Sequence, residues 1–185
     1  MGTLHRDYPE VQIEMKHPCN RDLVTQVMKG EVMLGLGCTR AHYPQGLAFC
    51  RLGHVTFVNA AHKDHPLSQL PNVRFAQLAD HLQLILSDQV THLLTTEYLK
   101  SAQRWHVHSQ GTLIEILKNG IGWAIVPKRL IAGELASGEL VELKLQSYPV
   151  TDWTIGLDLI WSVESKPGRV TAWLKSEIMR TKVFV

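Results

Sequence analysis

The stretch Thr112–Leu143, TLIEILKNGIGWAIVPKRLIAGELASGELVEL, decides the fold. Thr112 is a residue type that caps helices, and Leu113, Ile116 and Leu117 recur at the spacing of one helical face. Gly120 stands where a helix end favours positive φ, which glycine adopts without a Cβ clash. Gly122 lets the backbone pass close to a neighbour, and Trp123-Ala124-Ile125-Val126 is short and apolar enough for a buried strand. Pro127 closes that strand, Leu130 to Leu135 predicts a second short helix, and Gly138 turns the chain. Leu140-Val141-Glu142-Leu143 then begins another strand. None of these elements places a catalytic group.

Outward from this stretch, strands continue to alternate with helices. Leu84-Ile85-Leu86 predicts a buried strand, and Val170, Trp173, Leu174 and Ile178 mark one face of a late amphipathic helix. The alternation predicts an α/β architecture with largely parallel sheets covered on both faces. The chain has 185 residues, enough to bury a core as one domain or two small lobes. With 45% hydrophobic and 19% charged residues its composition is ordinary for a globular protein. Net charge is +2 with the signs interspersed, so no basic stripe announces nucleic-acid binding. No apolar run reaches the roughly 18 residues a membrane helix needs, and the first residues lack a signal peptide's apolar stretch.

The chemistry-bearing residues do not assemble into a known catalytic pattern. Cys19, Cys38 and Cys50 form no CxxC pair and no even framework, which suits a reducing cytoplasm. Ten histidines occur, but none is paired at a metal-ligand spacing backed by cysteine or carboxylate, so no metal and no cofactor is expected. His62 and His65 bracket a turn, while His106 and His108 alternate along an extended segment. There is no GxSxG elbow and no P-loop, and Gly35-x-Gly37 lacks the third glycine of a dinucleotide fingerprint. A Cys38–His42 pair would need a helix, whereas Gly35, Gly37 and Tyr43-Pro44 make that segment a strand end and loop. The chain is not expected to be an enzyme.

The order of helix, GxGxxxxP strand (Gly120 to Pro127), short helix and GxLVxL segment (Gly138 to Leu143) resembles the effector-binding domain of LysR-type bacterial transcriptional regulators. The likeness extends over nearly the whole chain. Tyr8–Glu14 is similar to that domain's second strand, Leu23–Gly30 to the helix after it, and Val32–Gly37 to the following strand. His54–Leu67, ending in His-Pro-Leu, resembles the first crossing strand; Leu157–Trp161 resembles the returning one, and Arg169–Met179 the closing helix. Met33 stands where the family often has aspartate. Only Gly2–Asp7 corresponds to the family's first helix, so the resemblance implies a shortened domain, with ligand affinity and dimerisation both affected.

The fold the resemblance implies is a two-lobe, type 2 periplasmic-binding-protein-like α/β fold with mostly parallel sheets and two crossing strands. Lobe I comprises residues 1–50 plus 163–185, lobe II residues 51–162, and no DNA-binding domain is included. The implied function is effector binding in the interlobe cleft by a cytoplasmic regulator that forms homodimers or homotetramers, with DNA held only by a separate winged helix-turn-helix domain. A free-standing solute-binding protein of a transport system shares the architecture and is the alternative.

Ligands of α/β sheets sit outside the strands' carboxyl ends, where helix N-termini present free N–H groups. There the resemblance implies Asn20, Cys38, Thr39, Ser87, Asp88, Ser109 and Gln110 as effector contacts. Asn20 equally suits a helix N-cap, and Asp88 a cap for Val90–Tyr98. Arg40 reads as a surface charge or as a carboxylate clamp. The helix start near Ser109–Thr112 favours an anion through its dipole. Trp105 and Trp123 offer aromatic surface or simply core.

Overall fold

A computed structural model describes residues 2–16, 23–86, 101–147 and 153–181. In chain order its elements are α1 (Gly2–Asp7), α2 (Leu23–Met28), β1 (Gly35–Cys38), β2 (Leu47–His62), α3 (Phe75–Ala79), β3 (Gln83–Leu86) and β4 (Arg104–Val107). They continue with α4 (Gln110–Lys118), β5 (Trp123–Pro127), α5 (Ala132–Ser137), β6 (Leu140–Glu142), β7 (Trp153–Ser162) and α6 (Arg169–Arg180). Short 3-10 turns occupy Pro66–Gln69 and Lys128–Ile131. The chain divides into two compact units, Met1–Val55 with Ile155–Val185, and Thr56–Thr154. Strands β2 and β7 each pass from one unit into the other.

In the second unit the strands lie in the order β6-β2-β5-β3-β4. The β3 pairings with β4 and β5 are parallel, while β2 pairs antiparallel with β5 and β6. The sheet is therefore mixed, its parallel part being the alternating β/α run and its antiparallel part arising from the long crossing strand. Side chains on successive strand residues point to opposite faces, and the core divides accordingly. Val58, Ala60, Leu84, Leu86, Ala124 and Val126 share one cluster with Leu113 and Leu117 of α4. Ala61 and Trp123 face the other way, onto Leu67, Val73 and Leu78. Trp123 is fully buried, and its indole N–H donates to the Leu78 carbonyl at 3.0 Å. It is core, whereas Trp105 is 52% exposed on β4.

The glycines of Thr112–Leu143 act as the sequence predicts. Helix α4 ends in a Schellman motif: Gly120 N–H bonds Leu117 O and Ile121 N–H bonds Ile116 O, with Gly120 at φ 77°. Gly122 sits at φ 71°, and a Cβ there would come within 2.6 Å of the Leu82 carbonyl oxygen. Two boundaries differ. Thr112 does not cap α4, because Ser109 Oγ already accepts the Thr112 N–H and starts the helix three residues earlier. The helix expected over Leu130–Leu135 is a 3-10 turn followed by α5.

In the first unit β1 pairs antiparallel with β7, matching Gly35 to Ile160 and Cys38 to Leu157. The strand expected over Val32–Gly37 starts later, because Gln26 O, in the last turn of α2, accepts the N–H groups of Glu31 and Val32. The strand expected over Tyr8–Glu14 is absent. That segment forms a turn at Pro9-Glu10 and then runs mostly exposed with no ladder partner among the described residues. The core here is thin, with Val24, Val27 and Ile160 buried together. Helix α6 has no fully buried apolar residue; Trp173 meets the Tyr8 ring edge-on at 5.7 Å.

Candidate functional site

In the second unit, α4 begins just after β4 ends, so its amino end lies near the carboxyl end of a parallel strand. The cap bond fixes Ser109 in extended conformation at φ −122° and ψ 130°. Ser109 Oγ is thereby committed to the Thr112 N–H at 3.4 Å, a long bond that a better acceptor or donor can displace. Gln110, half-buried, lines a cavity of about 10 Å³ with Leu86, Ile114, Pro127 and Leu130, room for roughly one water. Ser109 and Gln110 are thus brought together at one strand end. Ser87 and Asp88, expected to join them after β3, lie outside the described residues, as does Asn20.

In the first unit, β1 ends at Cys38, and Thr39 N–H continues the ladder by donating to Gly156 O at 2.7 Å. Opposite Gly37, one residue before Cys38, β7 places Asp158, fully buried. A buried carboxylate loses several kcal/mol of hydration unless it is paired and hydrogen-bonded. Asp158 meets that requirement with one partner on each oxygen: Arg51 Nε donates to Oδ1 at 2.5 Å and Tyr43 Oη donates to Oδ2 at 2.8 Å. The side chains of Arg51 and Thr39 crowd over Gly156, where a Cβ would overlap Thr39 Oγ1 and approach the Arg51 guanidinium carbon to 2.8 Å. Thr39 Oγ1 is buried and has no hydrogen-bond partner among the described residues.

This network sets the local proton affinities. Burial, the hydrogen bond to Asp158 and the Asp158 charge together push the Tyr43 phenol up to about 12. Cys38 is exposed as a residue, but crowding around its sulfur, with the Asp158 charge added, raises the thiol pKa. A thiol shifted that way is less nucleophilic at neutral pH, which is the opposite of what a catalytic cysteine requires. Among the described residues no group of three or more His, Cys, Asp or Glu is placed to hold a metal. His62 and His65 instead order their own turn, each Nδ1 accepting a backbone N–H two residues on, from Asp64 and Leu67. His65 packs edge-on against His81 at 5.1 Å, and burial first, then the neighbouring imidazoles, lowers its pKa.

Cys38 and Thr39 therefore do neighbour a built polar site, but its principal members, Tyr43, Arg51 and Asp158, were not singled out from the sequence. The available signal was Asp158 itself, one acid inside the otherwise uncharged run Trp153–Ser162. A charged residue in a buried strand calls for a partner, although nothing local says which.

The fold is that of a mixed α/β domain, and comparison with known proteins supplies the family. Residues 1–180 match the LysR substrate binding domain. The chain belongs to that family, the effector-binding regulatory domain of LysR-type transcriptional regulators. It is 24% identical over 177 residues to the HTH-type transcriptional regulator AceR of Acinetobacter baumannii, covering 92% of this chain and 57% of the relative. It is 26% identical over 159 residues to the HTH-type regulator ArgP of Pseudomonas aeruginosa, covering 82% of this chain and 50% of the relative. The chain thus spans about half the length of the curated relatives it matches. Among solved structures, the regulatory domain of MetR from N. meningitidis superposes with a TM-score of 0.76 at 16% identity, over 97% of this chain and 83% of that one. The CcmR regulatory domain of Synechocystis PCC6803, in complex with 2-PG, gives 0.74 at 17% identity, over 96% and 86%. These likenesses establish the two-lobe periplasmic-binding-protein-like fold. Among the described residues no helix is long and apolar enough to cross a membrane.

Proposed function

We propose that this domain binds a small metabolite, with Asn20, Cys38, Thr39, Ser87, Asp88, Ser109 and Gln110 as its contact residues. Binding acts on a cytoplasmic homodimeric or homotetrameric regulator whose separate winged helix-turn-helix domain holds the DNA. The observation that carries this reading is the family match over residues 1–180. Relatives support a small ligand: the CcmR domain is described with 2-PG, and LysG of Corynebacterium glutamicum with bound effector Arg. Family membership favours this regulator over a transport solute-binding protein. For a ligand to regulate, it must bind one state of the assembly better than the other.

Thermal unfolding against a panel of carboxylates, amino acids and aromatic acids tests the site. Ligand at about 100 times its dissociation constant adds roughly 2.7 kcal/mol, a shift of several degrees. The expected result is one responding metabolite whose effect shrinks in Gln110→Ala and in Thr39→Val. A response indifferent to both substitutions moves the effector away from these strand ends.

A further inference from the structure

We propose that Arg51 and Thr39 form an oxyanion subsite at the carboxyl end of β1, taking a carboxylate or phosphate group of the effector. The proposal rests on the effector-binding reading and names the ligand chemistry that one end of the site accepts. It begins with how Asp158 divides its hydrogen bonds. A guanidinium carries five N–H donors and meets a lone carboxylate most favourably through two parallel bonds. Here Asp158 Oδ2 is taken by Tyr43, so Asp158 engages only Nε of Arg51, through Oδ1. The contact anchors the stem and orientation of Arg51 while leaving its two terminal nitrogens unused by this carboxylate. The Arg51 side chain is 43% exposed, whereas Asp158 is sealed from solvent.

The second observation is independent of the arginine. Thr39 Oγ1 is buried and makes no hydrogen bond among the described residues. A buried hydroxyl without a partner keeps its full desolvation cost, so such a group calls for an acceptor beyond the described residues. It lies beside the Arg51 guanidinium, since both crowd the point where a Cβ on Gly156 would stand. A neutral hydroxyl donor and a fixed cation converging on one place is the donor set an oxyanion requires. Only glycine at position 156 leaves room for both. The amine of a cationic ligand would find no acceptor in Asp158, whose two oxygens are already bonded and buried.

The test uses the 185-residue chain, with succinate and inorganic phosphate as probes at constant ionic strength. Both are read by thermal unfolding and by titration calorimetry. The expected result is a midpoint that rises with at least one probe, succinate identifying a carboxylate subsite and phosphate a phosphate one. Thr39→Val keeps the side-chain volume and removes the orphan hydroxyl. It should leave the ligand-free midpoint unchanged or higher, yet bind the probe about tenfold more weakly, the loss of one charge-assisted hydrogen bond. Opposite signs in stability and affinity separate a ligand contact from packing. Arg51→Gln combined with Asp158→Asn keeps a neutral hydrogen-bonded pair, protects the fold and should abolish the response. Equal responses in wild type and both variants overturn the subsite. So does a wild type that ignores both anions while a neutral or cationic metabolite stabilises it, and that result leaves the effector reading standing. Silence toward every metabolite in the panel defeats both.

Discussion

The two units of this chain are held together by different physics. In the unit spanning Thr56–Thr154, a mixed sheet is covered on both faces by hydrocarbon, and Trp123, Leu67, Leu78, Leu84, Leu113 and Leu117 are essentially inaccessible to water. In the other unit, three buried aliphatic residues form the core cluster, and an aspartate, Asp158, is sealed as completely as its neighbour Leu159. Apolar burial is tolerant, because hydrophobic groups of about the right volume substitute for one another. A buried carboxylate is not, because each of its oxygens needs a particular donor at a particular distance. The first arrangement makes a scaffold, and the second makes a strand end whose state depends on a few polar contacts.

Four substitutions or conditions probe this contrast, in decreasing order of effect. Trp123→Ala should cost about 3–5 kcal/mol in urea unfolding, since it opens a large cavity and strands the Leu78 carbonyl. A loss under 1 kcal/mol would mean that the apolar unit is not the stabilising one. Asp158→Ala should cost about 2 kcal/mol, below the range for fully buried pairs because the Arg51 left behind retains access to water. Asp158→Asn should recover part of that loss, since an amide oxygen still accepts from Tyr43. If Ala and Asn prove equally harmful, hydrogen bonding is not what the site provides. Ser109→Ala removes the α4 cap and should lower stability by about 1 kcal/mol. The smallest effect is on pH dependence. His65 is held neutral by burial, so its folded pKa lies below the unfolded value near 6.5. Above that pH neither state binds the proton; as pH falls through it, the unfolded chain protonates first and stability declines. His65→Asn should flatten the decline just below pH 6.5, and an unchanged slope would assign it to another group.

How much of this was legible in the sequence follows the same division. The strand Trp123–Val126 closed by Pro127, the positive φ of Gly120, the turn at Gly138 and the close approach at Gly122 came directly from local pattern, because periodicity and glycine stereochemistry are properties of neighbouring residues. The helix face Leu113, Ile116 and Leu117 was legible too, but its cap was not. Ser109 and Thr112 are both good caps, and the Gly111 between them obscured where the helix begins. Tyr8–Glu14 alternates like a strand, yet alternation provides no partner strand, and the segment runs exposed. Tyr43, Arg51 and Asp158 could not be joined by any local rule, since the two bonds to Asp158 span 115 and 107 residues. Cys38 and Thr39 were reached through family resemblance, and the structure sets them next to a network that pattern alone does not contain.

Hydrogen-exchange mass spectrometry, with and without a stabilising metabolite, measures the central claim most directly. The account predicts that bound ligand slows exchange in two separate stretches, around Gly35–Arg40 and around Ser109–Leu113, while Trp123–Val126 stays protected throughout. Slowed exchange confined to one stretch, or lying in neither, would contradict the proposed set of effector contacts.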